Sequence, residues 1–138
     1  MQEKPVPVTA AILVKEGKIL LAQRLPGDKM AGFWEFPGGK TEPGETPQTC
    51  LERELEEEFG IIAKTGRFFA ASEYRYEHIY IRLEAYFITN WVGEFRLNSH
   101  AAIAWVSLSQ LLQYPLSPAD IDIALQLSEL PSVNQFAE

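Results

Sequence analysis

The sequence predicts an α+β fold, an α/β/α sandwich of helices around a mixed β-sheet. Three observations predict it. Apolar runs with strand-like patterning fill 8–24 and much of 61–108. A helix with legible start and stop signals interrupts them at 46–60. An amphipathic run opening on Ser-Pro follows them at 117–130. Strands mixed with two or three helices bury their apolar faces by stacking in such layers.

Each element has a local reason. "VTAAILV" (8–14) and "KILLAQR" (18–24) are β-rich and are joined by Glu16-Gly17, which reads as a hairpin. "RLPGDKMAGFWEFPGGK" (24–40) is rich in Gly and Pro and reads as a long loop with a short strand near Trp34–Phe36. Loops of that length in compact domains tend to be functional. Thr46 is placed as an N-cap, Pro47 at the first helical position and Gly60 just past the helix end. The pattern from Ile61 to Trp91 is strand-like, clearest in "HIYIRLEAYFITNW" (78–91), and "AAIAWVSL" (101–108) is a further strand. "SPADIDIALQLSEL" (117–130) is expected to form a C-terminal helix, with a frayed tail after Pro131.

A chain of 138 residues fits one domain, 1–138, with a sizeable core. Hydrophobic residues at 46% and charged residues at 22% place it among ordinary globular proteins. No apolar run reaches the roughly 18 residues of a membrane span, so no membrane partner is expected. "MQEKPVPVTAAILV" lacks the basic start and long apolar stretch of a signal peptide, which predicts an unprocessed cytoplasmic protein. Cys50 is the only cysteine, which excludes an internal disulfide and a cysteine metal cluster.

The net charge of −7 is concentrated. Residues 42–58 hold seven Glu against Arg53 alone, a local charge of −6 that leaves the rest of the chain near neutral. Charge kept for solubility would be spread out. No basic patch appears, which argues against duplex nucleic acid as a partner.

At 100° per residue, Glu54, Glu57 and Glu58 share one helix face with Cys50. Leu51, Leu55 and Phe59 form the apolar stripe beside it, and Glu52 and Glu56 point to solvent. Two carboxylates about 6 Å apart repel by roughly 3 kcal/mol at an effective dielectric of about 20. A solvated acidic face is the ordinary explanation for a charge run, and it suffices for Glu52 and Glu56. For the three acids next to the stripe, a hard divalent cation resolves the repulsion, and oxygen ligands select Mg²⁺, Mn²⁺ or Ca²⁺. Glycines at 38 and 39 let a backbone carbonyl turn towards the same point. Arg53 is expected to hold nearby carboxylates by forked hydrogen bonds, with Glu45 a partner.

Gly39, five residues, Glu45, seven residues, then "RELEEEFGI" (53–61) resembles the Nudix box, G-x5-E-x7-R-E-U-x-E-E-x-G-U with U aliphatic, at every fixed position of 39–61. "LAQR" (21–24), "GFWEFPGGK" (32–40), the late strand holding Trp105 and "LQYPLSPADI" (112–121) resemble the MutT-like branch of that family. Within it, the likeness is to bacterial enzymes that hydrolyse CTP and oxidised or otherwise modified deoxynucleoside triphosphates. The resemblance implies the Nudix fold. It implies Mg²⁺, with Mn²⁺ as an alternative, held by the Gly38 carbonyl and by Glu54, Glu57 and Glu58, which are the catalytic candidates. It implies a water that attacks the β-phosphorus of a nucleoside triphosphate, giving nucleoside monophosphate and pyrophosphate, with Glu54 the candidate base for that water. Gly39, Glu45, Arg53 and Gly60 take structural places in the box.

Arg24 resembles a family arginine that meets phosphates, against the alternative of a surface charge at a strand end. Asp120 resembles a residue that faces the nucleobase, although an acid in a first helical turn is favourable with no ligand. Phe36, Tyr74, Tyr76 and His78 are stacking candidates, with core packing as the alternative, as for Trp34 and Trp91. Cys50 is expected to pack as a small apolar residue. The late loop departs from the family pattern: Ser99 fills a slot that is acidic in many members. His100 beside it is either a base, with an unperturbed pKa near 6.5, or an exposed loop histidine. Two other readings stand beside the triphosphate hydrolase: an RNA 5′-end pyrophosphohydrolase, and an inactive nucleotide-binding Nudix domain, which would ordinarily have lost box residues. A monomer or a homodimer is expected.

Overall fold

The computed structural model describes residues 3–137. Strand β1 (Val6–Lys15) is its organising element. It turns through Glu16 and Gly17, both at positive φ (51° and 78°), into β2 (Lys18–Arg24). A two-residue loop with both φ positive matches the right-handed twist of the flanking strands, and Val14 pairs with Ile19 across it. β3 (Trp34–Glu35) and β4 (Gly38–Lys40) follow in the Gly/Pro-rich segment. Helix α1 (Pro47–Phe59) leads to β5 (Ile62–Lys64), β6 (Phe68–Arg75), β7 (Tyr80–Ile88), β8 (Asn90–Val92) and β9 (His100–Ser107). A 3₁₀ turn (Leu108–Gln113), α2 (Pro118–Ser128) and the short α3 (Val133–Ala137) complete the chain.

The sheet is mixed. β1 runs parallel to β7, from Val6 opposite Ile81 to Leu13 opposite Ile88, and antiparallel to β4 on its other edge, with Ala10 opposite Gly38. β2 pairs antiparallel with both β3 and β9. β5 and β8 form a separate ribbon.

Strand alternation divides the interior. Ala10, Ile12, Val14, Ile19, Leu21, Leu83 and Phe87 pack with Ile123, Ala124 and Leu127 of α2 and with Val133 and Ala137 of α3. Ala11, Leu13, Leu20, Ala22, Tyr86 and Ile88 pack with Leu51, Leu55 and Phe59 of α1. Helices therefore cover both faces, as expected of the sandwich. Burial on both faces also explains why "AAILV" (10–14) is continuously apolar rather than alternating. Each large side chain fully removed from water contributes about 2 kcal/mol.

Three elements differ from the sequence expectation. The strand-like stretch 61–91 is four strands. "LSQLLQ" (108–113) forms the 3₁₀ turn, with Leu111 buried. The tail after Pro131 forms α3 instead of fraying, because Val133 and Ala137 are buried and Asn134 Oδ1 accepts from the Gly17 N–H at 3.2 Å. Among the described residues no helix is long and apolar enough to cross a membrane.

Candidate active site

Helix α1 starts and stops where its caps dictate. Thr46 Oγ1 accepts from the Thr49 N–H at 3.1 Å, Pro47 follows, and Gly60 ends the helix in the left-handed region with its N–H on the Glu56 carbonyl at 2.9 Å. The Arg96 N–H takes the Phe59 carbonyl, and Asn98 takes those of Glu57 and Glu58. The buried stripe of Cys50, Leu51, Leu55 and Phe59 fixes the rotation of α1 on the sheet and turns its acidic face towards β4. There backbone excludes any side chain at Gly38, and a side chain at Gly39 would displace the Glu54 carboxylate. A Cβ on Gly38, at φ 151°, would lie 2.0 Å from the Thr9 carbonyl oxygen, and one on Gly39 would lie 2.5 Å from the Glu54 carboxyl carbon.

Arg53 organises the acids. Its Nε donates to Glu45 Oε2 at 2.7 Å and its Nη2 to Glu45 Oε1 at 3.0 Å, the expected fork. Nη1 reaches Glu54 Oε1 at 2.9 Å and Glu57 Oε2 at 3.3 Å. The bond from Arg53 holds the Glu45 carboxyl well below the ordinary range. Glu54 goes the other way, because burial outweighs its bond to Arg53. Glu58 is pushed up to about 9, by burial first and then by the like charges of Glu35 and Glu54. Its Oε1 is buried without a hydrogen-bond partner. Glu57 is 59% exposed.

The three acids share a helix face, yet they do not close on one point. Among the described residues no three His, Cys, Asp or Glu side chains are grouped closely enough to hold a metal ion. Arg53 draws Glu54 and Glu57 to itself, and Glu58 lies buried apart from it. The donor set still fits a hard divalent cation: an unpartnered buried carboxylate oxygen, a second half-buried carboxylate lying on a bare glycine, and two carboxyls whose pKa is raised. Glu52, expected to be merely solvated, instead accepts from the Thr65 N–H at 2.9 Å and ties α1 to the chain after β5. Glu56 is exposed as expected.

A cleft of about 340 Å³ opens beside α1 and β4. It is lined by Gly38, by Gly39 and Glu58 from the box, and by Arg24, Phe36, His78 and Asp120 from four other segments. Glu54 and Glu57 lie outside the lining, on the helix next to it. Arg24 is no bare surface charge: it bonds Asp28 at 2.7 Å and Glu35 at 3.0 Å. Burial opposes its charge, but those bonds outweigh it and raise its pKa. Asp120 is 6% exposed, and burial, with the charge of Glu35 behind it, holds its carboxyl well above the ordinary range against a hydrogen bond from the Phe36 backbone. Phe36 is at once a core residue and part of the cleft wall.

His100 is not the exposed loop histidine of the sequence reading. It is neither in an exposed loop nor facing the cleft, but 4% exposed at the start of β9. Its ring stacks on Phe59 at 5.3 Å, and Nε2 meets Glu35 Oε2 at 2.8 Å. Ser99 is exposed. Tyr74 lies on β6 outside the cleft, Trp34 packs against Tyr114, and Trp91 stacks on Trp105. Cys50 is fully buried, against Thr9 and the Gly39 and Lys40 carbonyls. The residue that sequence reasoning missed is Glu35, which joins Arg24 to His100. Its one local signal is an acid set between Trp34 and Phe36, at a position where a buried loop would carry none.

These features define a class. Residues 3–127 match the NUDIX domain. The chain is 43% identical over 120 residues to the CTP pyrophosphohydrolase of Escherichia coli, covering 87% of this chain and 89% of that protein. It is 42% identical over 95 residues to the 8-oxo-dGTP diphosphatase of Haemophilus influenzae, covering 68% and 70%. The crystal structure of a MutT Nudix hydrolase from Burkholderia pseudomallei superposes with a TM-score of 0.79 at 30% identity, covering 91% of this chain and 98% of that one. The chain belongs to the Nudix hydrolase family. Within that family it is MutT-like, in the branch that contains these pyrophosphohydrolases, and a divalent metal requirement is general to the family.

Proposed function

We propose that this protein hydrolyses nucleoside triphosphates, of the CTP/dCTP type or oxidised and modified deoxynucleotides, to nucleoside monophosphate and pyrophosphate with Mg²⁺, Mn²⁺ serving as an alternative. The observation that carries the reading is one cleft lined both by Gly38, Gly39 and the box residue Glu58 and by Asp120 and His78 from other segments. A polyphosphate faces the first group and a nucleobase the second.

In this reading the Gly38 carbonyl, Glu54, Glu57 and Glu58 would hold the cation. When bound, the cation neutralises phosphate charge and lowers the pKa of a water. Glu54, its carboxyl already raised by burial, takes the proton from the attacking water. The water oxygen bonds to the β-phosphorus, the bond to the bridging α-oxygen breaks, and the nucleoside monophosphate leaves. Arg24 reaches a phosphate by exchanging its Asp28 bond for a substrate oxygen. Phe36 and His78 contact the base, and Asp120 accepts from its amino or imino donors. Gly39, Glu45, Arg53 and Gly60 keep the box in shape. The working unit is one Nudix domain, 1–138, as a monomer or homodimer in the cytoplasm, without duplex nucleic acid or membrane as partner.

The test is product release with Mg²⁺ from CTP, dCTP, 5-substituted dCTP, dGTP, 8-oxo-dGTP and a 5′-triphosphate RNA, compared by kcat/KM. Pyrophosphate and monophosphate from one or two nucleotides support the reading. Release from the RNA alone moves the protein to RNA-end processing. Binding without turnover across the panel overturns the hydrolase reading in favour of an inactive nucleotide-binding domain.

A further inference from the structure

Helix α2 begins without the cap its sequence advertises. Ser117 stands at the N-cap position, where a serine hydroxyl ordinarily accepts from a first-turn N–H. Here the Ser117 side chain makes no capping bond, and its Oγ is buried with no partner. The free first-turn donor is met from elsewhere: the Ala119 N–H donates to the phenol oxygen of Tyr76 at 3.0 Å, across 43 residues of chain. Tyr76 lies just past β6, at the turn closed by its own N–H on the Ile79 carbonyl at 2.8 Å. That turn also carries His78, whose ring is 5.8 Å from that of Tyr76. The residue after Ala119 is the buried Asp120. Tyr76, His78, Ala119 and Asp120 all line the cleft.

We infer that Tyr76 is a positioning residue for base selection: its phenol oxygen, serving as the cap of α2, fixes the first helical turn and so the direction in which Asp120 presents its carboxyl to the nucleobase. The inference rests on the nucleotide hydrolase reading above. Two physical facts support a role beyond packing. A tyrosine hydroxyl drawn partly out of water finds a hydrogen-bond partner, and here that partner is the backbone N–H one residue before the acid. The other ties on this helix start come from β3, with the Ser117 N–H on the Trp34 carbonyl at 2.8 Å and the Trp34 N–H on the Pro115 carbonyl at 2.9 Å. β3 leads directly into Phe36, whose backbone bonds Asp120. Tyr76 therefore links the β6–β7 turn to the acid's helix through a side-chain hydrogen bond.

Ser117 supplies an internal control. As an N-cap serine it can rotate to accept from the first turn once the phenol oxygen is gone. Tyr76→Phe should raise KM for the preferred nucleotide about tenfold with kcat within about twofold, and cut its kcat/KM preference over the other base class by a similar factor. Ser117→Ala alone should leave both unchanged. The double variant should lose about threefold more than Tyr76→Phe, because the substitute cap is removed as well. An equal KM rise for every nucleotide, a fall in kcat at constant KM, or no effect overturns the inference. Amide hydrogen exchange on the unaltered protein gives a test that does not depend on a variant folding. The Ala119 amide should be protected like the interior of α2, and further slowed by the matching nucleoside monophosphate. Free exchange at Ala119 overturns the inference. Absence of turnover in the unaltered protein, with Ala119 protected and slowed by one monophosphate, counts against the hydrolase reading alone.

Discussion

The two walls of the cleft are made in opposite ways. The box wall comes from 23 consecutive residues, Gly39 to Ile61, together with the Gly38 carbonyl. Its geometry is set by neighbours in sequence: Thr46 caps α1, Arg53 forks onto Glu45, and Glu54 lies on Gly39. The opposite wall is assembled from the end of β2, the β3 segment, the β6–β7 turn and the start of α2, and its bonds span long separations, such as Glu35 to His100 and Tyr76 to Ala119. A local wall can stay constant while a composite wall changes one segment at a time. That suits a family with one reaction at phosphorus and many bases.

The comparison breaks if variants on the two walls give the same kinetic signature. Gly38→Ala should have the largest effect. The added Cβ meets backbone at 2.0 Å, and a clash with main chain cannot relax by rotating a side chain. Loss of activity and a destabilisation of about 3 kcal/mol or more are expected in a thermal or urea melt. Glu57→Gln comes next. It should lower kcat by about 10²- to 10³-fold, with Tm unchanged or slightly raised, because the removed like charge offsets the loss of an exposed ion pair to Arg53, worth little at a side chain 59% exposed. Unchanged turnover would remove Glu57 from the metal site. Asp120→Asn, on the other wall, should act mainly on KM, about tenfold, and should alter which base is preferred; a pure kcat effect would show that the two walls are not divided by task.

The smallest effect is one of pH. Glu58 holds its proton more tightly in the fold than in the unfolded chain, with a pKa of about 9 against an ordinary 4.5. Such a group stabilises fully below 4.5 and loses that contribution as pH rises through about 9. Asp120 is shifted in the same sense. Protein held in chelator should therefore melt at progressively lower temperature between about pH 5 and 9, and Glu58→Gln should flatten that slope. A Tm that rises with pH over this window would contradict the burial of Glu58.

How much was legible in the sequence follows the same division. The α1 caps, the core stripe, the Arg53–Glu45 fork and the shared face of Glu54, Glu57 and Glu58 were legible because helical periodicity and capping are short-range. The position of Asp120 at a helix start was legible, but its burial was not, since that depends on Phe36 and Glu35 arriving from 84 and 85 residues away. His100 was misplaced because the residues around it read as a loop, whereas the register with Arg24 and the stack on Phe59 draw it inside. Glu52 was misjudged because its partner, the Thr65 N–H, is a backbone group with no signature in sequence. The tail helix α3 was missed because five residues carry too little periodicity to register.

Strand β1 has a consequence for how this chain tolerates length changes. Its odd and even residues feed two separate interiors, and it is the strand that joins β2, β4 and β7. One inserted or deleted residue within Ala10–Val14 would exchange the contents of both interiors at once. It would also shift Thr9 away from Gly38 and Gly39, and with it the anchor of the box. Variation in chain length should therefore gather in the segment 25–33, where the chain turns outside the sheet, and be excluded from the ten residues that open the fold.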